Sequence, residues 1–484
     1  MNKKLIIHLL GAIMLIEALA MLPSLSIALI YGDGDFMALL VPILCLVALG
    51  TPAWLGFKSE DKSNLRAREG FVTVAFAWIL LSLFGALPFT LSGVLPNYVD
   101  AIFESVSGFT TTGATVITSF DNLPRGIMFW RSFTHWVGGM GVLVLTLALL
   151  PKMTGRTSHL MRAESAGPSF SKILPKLGDS AKILYLIYGI LTVVQWILLM
   201  YPGGMNAYDA AIHALGTAGT GGFSNYGASV GAFDSATVDV ITTVFMLIFS
   251  INFALFFRLL IGDWKTVWKS EELRWFLGFF VSASLIITLM IKPAYGSFFT
   301  ALRHSTFQTA SVMSTTGYAT ANFDLWPQAS RMLLVILMFV GGCAGSTAGG
   351  LKVVRIALLC KLSRREIRRT FQPRTVQVVR FEGKGVDENM LAQVATYGLV
   401  SFLVVFLGAF LISLENTYDF TTNLTAAITT VFNVGPGLKE VGPAGNFAGY
   451  SNASKALLSF MMLCGRLEFF PMLALFHPAV WQKG

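Results

Sequence analysis

Apolar residues fall in runs of the length that a bilayer core demands, about 20 residues for a helix. Such runs lie near 5–30, 36–57, 71–95, 126–150, 181–201, 236–262, 273–292, 331–362, 389–413 and 454–478, ten crossing segments in all. The first opens with Lys3 and Lys4, but it is too long for the apolar core of a secretory leader. It has no clear A-x-A cleavage site, and a second span follows it, so it is read as a membrane helix. After residue 70 the pattern repeats. A span leads to a stretch holding a short apolar segment and a cluster of small polar residues, and a second span returns to a basic loop. The order predicts an N-terminal helix pair over 1–70, then four repeats over 71–165, 166–270, 271–385 and 386–484.

The clusters are SGFTTTGAT at 107–115, GTAGTGGFS at 216–224, VMSTTGYAT at 312–320 and TTVFNVGPG at 429–437. They align on Gly113, Gly222, Gly317 and Gly435, which are 109, 95 and 118 residues apart. The second quarter also offers Gly221. Asp100-Ala101 and Asp209-Ala210 each precede the chosen glycine by 13 residues, which favours Gly222. Both aspartates suit the capping of a short helix. The segments between are too short to span, so they are expected to enter from outside and stop midway. Four matches at similar spacing mark internal repetition.

Composition agrees with a membrane protein: 54% of the 484 residues are hydrophobic and 13% charged, against about 25% charged in soluble chains. The net charge of +9 is concentrated at 58–68, 152–182, 258–274 and 352–384, with no Lys or Arg between Lys182 and Arg258. The excess of basic residues on the cytoplasmic side of membranes puts these loops and both termini inside. This accounts for the basic balance without nucleic-acid binding. Cys45, Cys343, Cys360 and Cys464 show no paired spacing and are expected to be packing residues.

Irregular backbone at membrane depth survives only inside protein or along water. A half-helix followed by a glycine-centred extended stretch presents a row of carbonyl oxygens. Four such rows around an axis can replace the hydration shell of a potassium ion. The candidate ligands are Thr111, Thr112, Gly113; Thr220, Gly221, Gly222; Thr315, Thr316, Gly317; and Asn433, Val434, Gly435. Half-helix C-termini aimed at the middle favour a cation there, and Asp121, Asp234, Asp324 and Glu440 would concentrate cations outside. Small residues also line ordinary helix contacts in membranes, but that explanation leaves the fourfold recurrence unaccounted for. A membrane enzyme of lipid or polyprenol chemistry would call for clustered Asp, His or Arg at the interface, and a small-solute carrier for inverted repeats; the chain has neither. The expected class is therefore an all-α polytopic protein with four pore loops around a pseudo-fourfold pore, not an enzyme.

On these quarters and their order, the chain resembles the Trk/Ktr/HKT superfamily of potassium uptake proteins, most closely its bacterial TrkH-type branch. The resemblance covers essentially the whole chain, including the extra N-terminal pair. It implies a potassium-translocating subunit of the bacterial inner membrane carrying all four filter quarters, with potassium as the transported ion and no organic cofactor of its own. It implies a homodimer with one pore per protomer, set in membrane lipid, and a cytosolic TrkA-type ring that binds NAD(H) or adenine nucleotide. One glycine per quarter, with NVGPG closest to the potassium-channel signature, implies a looser filter that passes rubidium and leaks some sodium. A less selective Na+/K+ transporter and a proton-coupled symporter of the same fold remain as alternatives.

Two further features concern gating. The eighth span breaks at GGCAGSTAGG, residues 341–350. Its end superficially resembles a phosphate-binding loop, but Gly350 is followed by Leu351-Lys352 and no strand precedes it. Close helix packing is one explanation of so many small residues. The family has an intramembrane loop at the matching place, which makes Gly345, Ser346, Thr347, Ala348 and Gly349 gate candidates. Arg466 is a cation inside an apolar span, costly unless it meets water or a partner. It could pair with Glu468, or project into the pathway below the filter, as a matching arginine of the family implies. His8, Glu17 and His135 are expected to be buried structural groups, and His213 and His304 ordinary hydrogen-bonding residues. The stretch 355–384, with nine Lys/Arg against two Glu, follows the loop directly and is where a partner could pull on it.

Overall fold

A computed structural model describes residues 2–57, 67–141, 177–375 and 377–481. Much of the first two basic clusters and the distal part of the expected span at 126–150 fall outside the described residues.

Six described helices are long and apolar enough to cross a bilayer. Two are the N-terminal pair, Lys3–Tyr31 and Phe36–Gly56. Gly32, with φ 68°, closes the first by donating its N–H to Ala28, so a four-residue link reverses the chain. The pair packs so closely at Gly11 that a Cβ there would lie 2.6 Å from the Trp54 nitrogen. The other four are the first spans of the repeats: Ala67–Leu91, Leu177–Met200, Glu271–Tyr295 and Glu388–Ser413.

Each first span is followed by a short helix: Tyr98–Phe109, Ala207–Gly219, Phe298–Met313 and Phe420–Phe432, of 12, 13, 16 and 13 residues. At 1.5 Å per residue these cannot cross about 30 Å of hydrocarbon. Their C-terminal halves are buried on every side, Phe103 to Phe109 without exception, which explains why they are built of small and hydroxyl-bearing residues.

The second spans are shorter or interrupted helices. The helix Arg125–Gly139 ends after 15 residues. Ala236–Phe249 and Phe253–Leu260 meet at a bend of 94°. Gln328–Val340 stops at Gly341 and resumes as Val353–Phe371, and Asn452–Arg466 gives way to Phe470–Ala474. The break expected in the eighth span is present, and repeats 2 and 4 break as well, while in repeat 1 the helix ends at the same stage. Isolated polar residues at the breaks, such as Asn252 and Glu468, lie among apolar neighbours, so the hydropathy of the whole run does not mark them.

Among the described residues the strands are a two-residue pair, Arg380–Phe381 with Lys384–Gly385, closed by Glu382-Gly383 at φ 49° and 73°. The Glu382 carboxylate accepts from Ser270 Oγ at 2.9 Å and from the Glu271 and Glu272 amides at 2.8 and 3.3 Å. This ties the basic segment back to the entry of the third repeat. All four cysteines are free, but Cys360 is exposed and so is not a packing residue.

Candidate functional site

The short helices are aimed by their caps. Asn97, Asn206 and Asp419 accept from Val99, Asp209 and Thr422 amides at 3.0, 2.8 and 2.9 Å. The capping role expected of Asp100 and Asp209 is therefore corrected. A cap must sit in extended backbone, and these two already lie in the first helical turn. Asp100 instead meets Lys455 at 2.6 Å, and Asp209 accepts from Asn206, Asn225 and Tyr226 side chains. Lys439 hydrogen-bonds the Asp419 carboxylate, which with the Thr422 bonds pushes its pKa down to about 2. Its folded pKa is lowered, so the cap contributes fully above the ordinary carboxylate range and fades as pH falls toward 2. Asp419→Ala is expected to cost about 1 kcal/mol. In detergent thermal melts the gap from the parent should be constant above about pH 5 and shrink below it.

At the inner ends the four quarters share one backbone pattern. Thr111, Thr220, Thr315 and Asn433 lie in the left-handed region at φ 56°, 55°, 57° and 54°. The next residue returns an N–H to the helix carbonyl five positions back: Thr112 to Ser107, Gly221 to Gly216, Thr316 to Ser311 and Val434 to Thr429, each at 2.9 Å. This is the Schellman way of ending a helix, with threonine in three of the four places where glycine is usual. A left-handed threonine costs on the order of 1–2 kcal/mol and persists only where its surroundings impose it. Gly113, Gly222, Gly317 and Gly435 follow at φ 82°, 77°, 83° and 99°. Left-handed and ordinary residues thus alternate, which turns successive carbonyls to one side instead of both.

The quarters close on one another in order. A Cβ on Gly113 would strike the Gly221 carbonyl oxygen, on Gly222 that of Thr316, on Gly317 that of Val434, and on Gly435 that of Thr112 at 2.7 Å. Each glycine is therefore seated against the carbonyl of the next quarter, and the fourth returns to the first. All four line the floor of a cavity of about 340 Å³. Of the four acidic residues expected outside, Asp121 lines that cavity and Asp234, Asp324 and Glu440 do not. Asp324 is held by Arg331 at 3.5 Å.

The seams between quarters differ. Tyr318, after Gly317, donates its hydroxyl to the Phe223 carbonyl at 3.2 Å. Asn433 Nδ2 donates to Thr112 Oγ1 at 2.9 Å, and the Phe447 amide to the Thr115 carbonyl at 2.8 Å. Between the first and second quarters lie His135 and a buried pair, Glu104 and Arg131, at 2.6 Å. The chain's pattern does not single out Glu104 or Arg131, although Arg131, like Arg466, is a cation within an apolar span. His213 bonds Ser224 Oγ at 3.0 Å and His304 Thr320 Oγ1 at 3.1 Å. His8 faces the Trp54 carbonyl at 2.6 Å, while both oxygens of buried Glu17 lack a hydrogen-bond partner.

Beneath the ring runs the interrupted segment of the third repeat. Its Gly349 amide donates to Thr315 Oγ1 at 2.7 Å and its Gly350 amide to the Phe432 carbonyl at 3.1 Å. On its other flank Thr347 Oγ1 donates to Phe249 at 3.0 Å, and the Gly345 carbonyl accepts from Phe253 at 3.0 Å. It is thus laid on the bend of the second repeat, with Ser346 and Ala348 between these anchors. Arg466 donates to Thr111 Oγ1 at 3.1 Å, to Thr347 O at 2.9 Å, and to the Gly138 and Gly139 carbonyls at 2.6 Å each. One guanidinium therefore joins the first quarter, the loop and the end of the first repeat's second span. Glu468 pairs with Arg355, at the start of the helix leaving the loop.

Comparison with known proteins agrees with this architecture. The family model TrkH, described as a cation transport protein, matches residues 37–483. The chain is 39% identical over 478 residues to the Trk system potassium uptake protein TrkH of Salmonella typhimurium, covering 97% of both chains. It is 31% identical to the Trk system potassium uptake protein TrkG of Escherichia coli, covering 99% of both. The crystal structure of the potassium transporter TrkH from Vibrio parahaemolyticus superposes with a TM-score of 0.90 at 34% identity, covering 100% of both chains. A four-repeat membrane fold and a whole-length match lead to one conclusion: the chain belongs to the TrkH family of cation transport proteins, which are transporters and not enzymes.

Proposed function

We propose that the ring built on Gly113, Gly222, Gly317 and Gly435 is the selectivity filter of a potassium uptake subunit. The closed order of glycine against neighbouring carbonyl carries this reading, since it surrounds one axis with backbone oxygens from every repeat. The Trk names of its relatives support potassium as the ion, and a carbonyl site suited to potassium accepts rubidium. Threonine, glycine, threonine and valine stand at the ring position before each glycine. This unevenness favours a looser filter with some sodium leak over a strict channel filter.

The segment 345–349 with Arg466 serves as the gate in this reading. It lies under the filter and occupies the inner hydroxyls of Thr111 and Thr315. The helix leaving it, Val353–Phe371, leads into the basic stretch, a suitable handle for a cytosolic nucleotide-binding ring. The protein would act as a homodimer in the inner membrane with both termini inside. In proteoliposomes holding the purified chain, trapped potassium should drive radioactive rubidium uptake that excess external potassium suppresses and equal sodium suppresses far less. Uptake no greater than in empty vesicles would count against the reading. Uptake that rises with an imposed proton gradient would favour the symporter.

A further inference from the structure

We propose that Glu104, Arg131 and His135 form a buried brace that fixes the seam between the first two filter quarters and thereby sets ion selectivity. The inference rests on the filter reading above and adds positioning residues to it. Arg131 and His135 are one turn apart on the second span of the first repeat, so they share a face. Arg131 is 1% exposed and Glu104 fully buried. The Glu104 carboxylate accepts from Arg131 Nε at 2.6 Å, Thr115 Oγ1 at 2.9 Å and the Val116 amide at 2.9 Å. The last two lie just beyond Gly113. On the other side, Arg131 Nη1 donates to the Ser224 carbonyl at 3.0 Å, just beyond Gly222. Its guanidinium covers the Phe223 ring at 3.5 Å.

His135 spans the same seam one turn lower. Its Nδ1 faces the Gly108 carbonyl at 2.8 Å, and its Nε2 accepts from the Phe223 amide at 3.2 Å. A carbonyl cannot donate, so Nδ1 carries the proton and the ring is neutral. A Cβ on Gly221 would collide with this ring. The brace thus reaches backbone on both sides of Gly113 and just beyond Gly222.

The other quarters lack it. The positions nine residues before each glycine are Glu104, His213, Gln308 and Ala426. His213 bonds Ser224 Oγ, Gln308 reaches only the Ala321 carbonyl at 3.5 Å, and Ala426 has nothing to bond with. A buried ion pair adds little net stability, because desolvation offsets attraction. Its geometry, with three hydrogen bonds reaching two filter strands, is what apolar replacements of the same volume could not reproduce.

The test measures rubidium and sodium flux ratios in proteoliposomes, a ratio that loss of folded protein alone does not move. Glu104→Gln with Arg131→Met removes both charges together, leaving no lone buried ion. Its ratio should fall on the order of tenfold, with a thermal melt close to the parent. Arg131→Lys keeps the charge but loses the planar fork, and a fall of about threefold is expected. Gly113→Ser is the reference for the filter itself. A parental ratio in the double variant, or in Arg131→Lys if only that one folds, overturns the brace while an altered Gly113→Ser leaves the filter standing. A parental ratio in Gly113→Ser as well overturns both.

Discussion

Alanine at Gly222 is expected to lower rubidium flux in proteoliposomes by at least tenfold and to abolish most discrimination against sodium. Two costs combine. The position has φ 77°, where a side chain costs on the order of 1–2 kcal/mol. The added Cβ also falls on the Thr316 carbonyl oxygen, so the ring must open or turn that oxygen away. Either response removes a ligand, and about 1.4 kcal/mol of barrier is already tenfold in rate. The same change should hurt in the order Gly222, Gly113, Gly317, Gly435, because the clash eases along that series to 2.7 Å at Gly435. The check is the flux and the rubidium-to-sodium ratio of all four variants at matched amounts of folded protein. Equal and parental values across the series would remove the ring from the conduction path.

Arg466→Ala should act in the opposite direction and raise basal rubidium flux of the partner-free protein about tenfold or more. Its guanidinium donates to Thr111, Thr347, Gly138 and Gly139. Hydrogen bonds to charged groups contribute roughly 1.5–3 kcal/mol each, so losing even one shifts a closed-to-open balance by an order of magnitude. Removing the positive charge lowers the barrier to cations as well. Deleting 344–348 should give the same rise by a different route, since it takes out the anchor of the loop on Phe249 and Phe253. If both variants fold and neither raises flux, the loop is packing and the gate lies elsewhere. Arg466→Lys separates charge from geometry: it keeps the charge but cannot span four acceptors, so an intermediate rise is expected.

Much of this arrangement is legible in the chain. The four glycines could be aligned because every quarter must solve the same problem, a carbonyl row at membrane depth, and glycine is the cheapest solution. Gly222 could be preferred over Gly221 on the spacing from Asp209, and in the fold it is Gly222 that faces the Thr316 carbonyl. The aspartates that gave the spacing do not cap their helices, however; Asn97 and Asn206 do. A repeat preserves distance along the chain, not the hydrogen bonds made at each point, so the same signal supported one inference and misdirected the other.

The sequence by itself determined the membrane class, the fourfold repeat, the small-residue clusters and the cation at Arg466. These follow from local rules, since hydropathy, helix length and the cost of a buried charge act on neighbours in the chain. Only the tertiary structure decided what lies across each seam. Tyr318 bonded to the second quarter, Asn433 to Thr112, Glu104 joined through Arg131 to Ser224, and Gly349 seated on Thr315 are pairings across tens to hundreds of residues. No period in the chain encodes them. Apart from the small-residue run at 341–350, the breaks in the second spans belong to the same class: where they fall, backbone groups find partners on a neighbouring repeat, as the Phe253 amide does on Gly345. Once an irregular backbone is buried, every polar group must be matched by whatever the fold brings beside it. That match is a property of the assembled ring and not of any one quarter.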